Sequence, residues 1–111
     1  MSFPVTISGG DDRPIITVSD QGIIKSWNAG AERLIGVKAS QAVGYGPAFF
    51  IPQAHRDNHK KSFEQAMRSN SDKVRLWSVE CEIEVKGKKS PVRMEVWSYP
   101  GIGAIALIHE K

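Results

Sequence analysis

Asp20-Gln-Gly-Ile-Ile-Lys-Ser-Trp-Asn-Ala-Gly-Ala-Glu-Arg-Leu-Ile-Gly36 decides the fold of this chain. Asp20-Gln21-Gly22 is turn chemistry: a side chain able to bond its own backbone, then a glycine free to take positive φ. Ile23–Trp27 is a short, apolar-rich strand. Asn28 is among the residue types that cap a helix N-terminus. Ala31, Leu34 and Ile35 recur at helical spacing, and Gly36 stops the run. With Ile15–Ser19 as a preceding strand, this opening is a hairpin followed by a short helix.

Downstream, Ala39–Val43 is a further helical turn stopped by Gly44 and Gly46. Pro47-Ala-Phe-Phe-Ile-Pro52 is an apolar connector pinned by two prolines. From His55 to Ser69 the pattern is helical, with His59, Phe63, Ala66 and Met67 on one face and Lys60, Lys61, Glu64 and Arg68 mostly on the other. Arg75–Val85 is the clearest strand: Val79, Cys81, Ile83 and Val85 alternate with Ser78, Glu80, Glu82 and Glu84. Lys86–Lys89 reads as a hairpin loop leading to a strand over Pro91–Tyr99, and Pro100-Gly101 separates that from a last strand over Ile102–His109. The order predicts an α+β domain: a five-stranded antiparallel sheet with helices packed on one face.

A chain of 111 residues supports one domain with a modest core. We divide it into an N-terminal arm over 1–12 and a single domain over 13–111, with Gly9-Gly10-Asp11-Asp12 as hinge. Phe3, Val5 and Ile7 alternate in the arm and suit packing on an apolar surface, including that of a partner subunit. The composition is globular, 41% hydrophobic and 24% charged. No apolar run approaches the roughly 18 residues of a membrane span, and the N-terminus has no signal-peptide pattern, so no membrane association is expected. One cysteine, Cys81, excludes an internal disulfide and fits a reducing, cytoplasmic compartment. A net charge of +3 with scattered basic residues gives no nucleic-acid stripe.

Catalytic patterns are absent. No phosphate loop, nucleophile elbow or Ser/His/Asp set is discernible, and Glu80, Glu82 and Glu84 share a face of one strand that reads as solvated. His55 and His59 lie four apart on one helix face, a spacing open to a transition metal, with no evident third ligand. A ligand-processing enzyme with a conical cavity would need an inward acid/base pair, and His59 is the one candidate. We therefore expect no enzyme.

The opening stretch resembles the start of a PAS domain, whose recurring phrase is Asp-x-Gly-x-Ile-x-x-Trp-Asn-x-Ala-Ala-Glu-x-Leu-x-Gly. Gly30 stands where that family more often has Ala. The element order agrees with a PAS domain from residue 13 on. The resemblance implies a sensory, signal-transducing domain that binds a small ligand or cofactor between the long helix and the sheet.

A second resemblance concerns the cofactor. Ile51-Pro52-Gln53-Ala54-His55-Arg56-Asp57-Asn58-His59 is similar to the run leading into the long helix of haem-binding PAS domains in oxygen-sensor kinases and related diesterases. The final histidine of that run is the iron ligand, so the resemblance assigns b-type haem, for gas or redox sensing, to His59. Phe63, Met67, Trp77 and Val79 would complete its pocket. Gln65 stands where those kinases carry a propionate-binding arginine, and Val79 where they carry a distal arginine; Arg75 and Trp77 share the parity of Val79 as substitute donors. FAD or FMN is less favoured: the Asn-Cys-Arg-Phe run of light-sensing relatives is missing here. The alternative is a cofactor-free PAS module for protein interaction or dimerisation. Trp97 and Tyr99, opposite in parity to Val92, Met94 and Val96, are expected on an exposed outer sheet face. With the arm they are expected to form a homodimer contact. An output domain or partner protein is the expected recipient of the signal.

Overall fold

The computed structural model describes residues 13–69 and 74–111; the expectations for the arm over 1–12 lie outside them. Strand β1 (Ile15–Ser19) and strand β2 (Ile24–Trp27) form an antiparallel hairpin. Helices α1 (Ala29–Ile35) and α2 (Ala39–Ala42), a 3-10 turn over Pro47–Phe50 and the long helix α3 (Gln53–Met67) follow. Strands β3 (Arg75–Val85), β4 (Lys88–Tyr99) and β5 (Gly103–Glu110) complete the sheet, in the order β2-β1-β5-β4-β3 with every pairing antiparallel. This is the expected α+β architecture.

The turn after β1 is closed by a different side chain from the one expected. Ser19 Oγ, not Asp20, accepts the N–H groups of Gln21 (3.2 Å) and Ile23 (3.3 Å), while Gly22 takes φ 79°. A short hydroxyl at the end of the strand lies within reach of both amides; exposed Asp20 is left to solvent. Between Thr17 and Val18 the β1–β2 register slips, which starts β2 at Ile24 rather than Ile23. The edge strand is then held from its other side: Ile24 N–H donates to Tyr45 O and Gly44 N–H to Ile24 O.

Asn28 fastens the hairpin to α1. Its Oδ1 accepts from Ala31 N–H, as a cap, and from Ile15 N–H on β1, both at 2.9 Å. Glu32 caps the next element, accepting Ala39 N–H at 2.7 Å. Trp27, 5% exposed, donates its indole N–H to Val37 O and packs against Phe49 and Phe50 at ring distances of 5.7 and 5.8 Å. Ile24, Ile35, Ile83, Val92 and Ile108 close the same core.

Helix α3 starts at Gln53, two residues earlier than the periodicity indicates. Pro52, with no N–H to satisfy, stands at its N-cap, and Arg56 Nε donates to Ile51 O at 2.8 Å. The β3–β4 connection is likewise tighter than expected. Lys86 (φ 52°) and Gly87 (φ 80°) alone form the turn, the two-residue type whose twist suits flanking strands. Strand β4 therefore begins at Lys88. Pro91 sits inside it, paired with Glu82 on β3, before β5 joins at Val92, so its missing N–H costs no bond to β5.

Gly103 makes the strand order possible. It pairs with Ser19 at φ 147°, and a Cβ there would stand 2.0 Å from Val18 O. On the outer face, the expectation of exposed aromatics is corrected in part. Trp97 is half-buried and Tyr99 is 7% exposed. Ile105, opposite Trp97, and Leu107, opposite Glu95, are equally buried, so both aromatics belong to a packed row rather than a bare patch. Glu80 and Glu82 are exposed, as their pattern implied, while Glu84 is half-buried.

Candidate functional site

A cleft of about 1400 Å³ opens between α3 and the helix-side face of the sheet. Its floor follows from the period-two alternation of the strands. Trp77, Val79 and Cys81 come from β3, Met94, Val96 and Ser98 from β4, Ala104, Ala106 and Ile108 from β5, and Ile16 and Val18 from β1. Two alanines on the central strand leave depth where larger side chains would fill the space. Phe50 and Ile51 close the end next to the core, and α3 supplies the roof. Polar side chains gather at the mouth, among them Arg56, Asn58 and Lys60.

The structure brings together four of the five residues expected at the site. His59 and Phe63 come from α3, Trp77 and Val79 from β3. Phe63 also seats the turn of the first hairpin, its ring 3.6 Å from where a Cβ of Gly22 would stand. Val79 is 43% exposed although it points toward the helices, because the cleft in front of it is open. Met67 does not line the cleft. Eight residues after His59, it has rotated about 80° around the helix and risen about 12 Å along it. Of the two substitute donors, Trp77 borders the cleft; Arg75 instead stacks its guanidinium on the Trp77 ring, 5.8 Å from the centroid.

His59 is accessible because the cleft is open, yet the protein around it removes enough water to hold its imidazole pKa below the ordinary value. At neutral pH it is therefore a neutral nitrogen base facing an apolar wall. Burial, with a smaller push from Glu82, raises the Cys81 thiol, which stays protonated and unreactive. His55 lies at the mouth, and among the described residues no group of three or more His, Cys, Asp or Glu side chains gathers around a metal position. Sequence reasoning missed Ser98, Ala104 and Ala106. Ser98 shares the parity of Val92, Met94 and Val96, which was the available signal.

The five-stranded sheet, the three helices on one face and the cleft between them define an α+β domain with a ligand-sized opening. The family model for the PAS fold matches residues 12–101, and the chain belongs to the PAS family. Among solved structures, it is similar to a PAS domain from Colwellia psychrerythraea (TM-score 0.75, 20% identity, covering 91% of this chain and 87% of that one). It is similar also to the PAS domain of the RpfR quorum-sensing receptor of Cronobacter turicensis in complex with BDSF (TM-score 0.75, 17% identity, covering 95% and 98%). The same domain in complex with C12:0 matches at TM-score 0.76. A PAS domain from a two-component sensor histidine kinase matches at TM-score 0.69 and 10% identity, covering 93% and 88%. These likenesses are of fold. No described helix is long and apolar enough to cross a membrane.

Proposed function

We propose that this PAS domain senses by binding an apolar small molecule in the cleft, with b-type haem held through His59 as the leading ligand. One observation carries the reading: the His59 imidazole, its pKa lowered by burial, lines a wide cleft whose sheet floor is largely apolar. The residues suit the group. A neutral imidazole offers the lone pair that iron takes. Trp77 and Val79 on the facing wall, with Phe63 beside the histidine, supply apolar contact. Arg56 and Lys60 at the mouth carry charge of the sign that suits propionates. Haem bound there would supply an iron able to take up a diatomic gas or change oxidation state. Met67 drops out of the pocket and Arg75 out of the donors.

Spectra of protein produced with haem supplied test this. A Soret band that moves or disappears in His59→Ala is the expected result. Colourless protein, or a band indifferent to the substitution, overturns haem ligation.

A second reading is an acyl ligand with an acid group. It is favoured by the BDSF and C12:0 bound in the RpfR complexes and by an apolar floor with Arg56 and Lys60 among the charged side chains that line the cleft. Mass spectrometry of what co-purifies separates the two. In either case we read the domain as non-catalytic and cytoplasmic. Its residues 1–12 would act as an arm and the outer face around Trp97 as a homodimer contact, through which occupancy reaches an output domain or partner. A cofactor-free interaction module is what remains if nothing binds.

A further inference from the structure

We propose that Ser98 is a hydrogen-bonding group at the β4–β5 part of the cleft's sheet wall, and that the cleft selects apolar molecules carrying an oxygen that can meet its hydroxyl. The proposal rests on the reading that the cleft holds a small molecule, and it stands whether that molecule is haem or not.

Ser98 is 1% exposed and lines the cleft. It sits in β4 between Arg75 on β3 and Ala104 on β5, and Ala104 in turn pairs with Val18 on β1. Of its neighbours along and across the wall, Val96, Ala104 and Val18 offer it nothing polar from a side chain, and the guanidinium of Arg75, its pair on β3, lies over the Trp77 ring. Thr17, the other buried serine or threonine among the described residues, is paired with Ser26. Ser98 has no counterpart among the described residues. No sealed polar side-chain atom there lacks a partner, so an unbonded Ser98 hydroxyl must open into the cleft rather than end inside the wall. A serine hydroxyl offers one donor and two acceptor positions. Held in an apolar wall away from bulk water, it favours a ligand oxygen over a methyl group at the same place, because an unmet polar group there is costly. Ala104, with the smallest chiral side chain, leaves room beside it for that oxygen.

The test is a pair of matched probes, 2-naphthol and 2-methylnaphthalene, titrated into the full 111-residue chain and followed by amide chemical shifts. Both should bind, with the largest shifts at Val96–Ser98 and Ala104–Ala106. Ser98→Ala should weaken 2-naphthol by about 2- to 12-fold, the range of one net hydrogen bond, and change 2-methylnaphthalene by less than about twofold. Ser98→Thr, which keeps the hydroxyl, should retain the wild-type ratio between the probes. Equal effects of Ser98→Ala on the two probes overturn the role of Ser98 and leave the cleft reading intact. Failure of both probes to bind the wild-type chain overturns this inference, while the cleft reading is decided separately by the haem spectra and by the mass of what co-purifies.

Discussion

His59 shows what a residue's position in a helix can and cannot disclose. Its place in the Ile51–His59 run was legible, as was its shared face with Phe63. Its proton affinity was not, because that depends on walls contributed by β3 and the first hairpin. The consequence for stability has a definite sign. The folded-state pKa is depressed, so the folded protein resists protonation that the unfolded chain accepts. The neutral histidine leaves stability intact above its unfolded value near 6.5, and stability declines as pH falls through that value toward the lower folded one. Urea midpoints measured from pH 7.5 to 5 should fall, and His59→Gln should flatten part of that fall; an unchanged slope would contradict the depressed pKa. Gly103 is the opposite case. Nothing local in Pro100-Gly-Ile-Gly103 says that the second glycine matters most. The reason is Val18 O, brought within 2.0 Å of a would-be Cβ from far away in the chain.

At the level of elements, the stretch from Asp20 to Gly36 told most because its signals are local: turn, cap and stop residues act on their own neighbours. The structure adds that Asn28 works on two elements at once. Removing its side chain in Asn28→Ala loses the α1 cap, the bond to Ile15 and the bond its amide donates to Arg13 O together. The cap alone is worth about 1 kcal/mol, so a total of about 1–2 kcal/mol is expected, seen as a drop in Tm of about 4–12 °C for a domain of this size. A loss below about 0.5 kcal/mol would mean that water replaces these bonds. Elements were misjudged where their ends depend on partners. Strand β4 extends back to Lys88 because β3 pairs with it all the way to a two-residue turn. Met67 leaves the cleft because 3.6 residues per turn carries the eighth position off the line.

For the whole molecule, the outer face carries the proposed dimer. Trp97→Glu, which puts a charge into a half-buried row beside Ile105, should convert a dimeric species to monomer in size-exclusion chromatography with light scattering. A wild-type monomer, or a dimer untouched by the substitution, removes this contact. Parity in the sequence assigned Trp97 and Tyr99 to the face away from the helices, and it assigned Trp77 and Val79 to the face toward them. It could not say how deeply Tyr99 is buried, nor that Ser98, Ala104 and Ala106 would meet His59 across one cleft. Alternation, capping and turn chemistry are properties of adjacent residues, so the sequence by itself determined the elements, their faces and the family they make. The cleft exists because β5 enters between β1 and β4 and sets small side chains under α3. Pairings between distant segments are fixed by the packing of the whole sheet, and only the tertiary structure decided them.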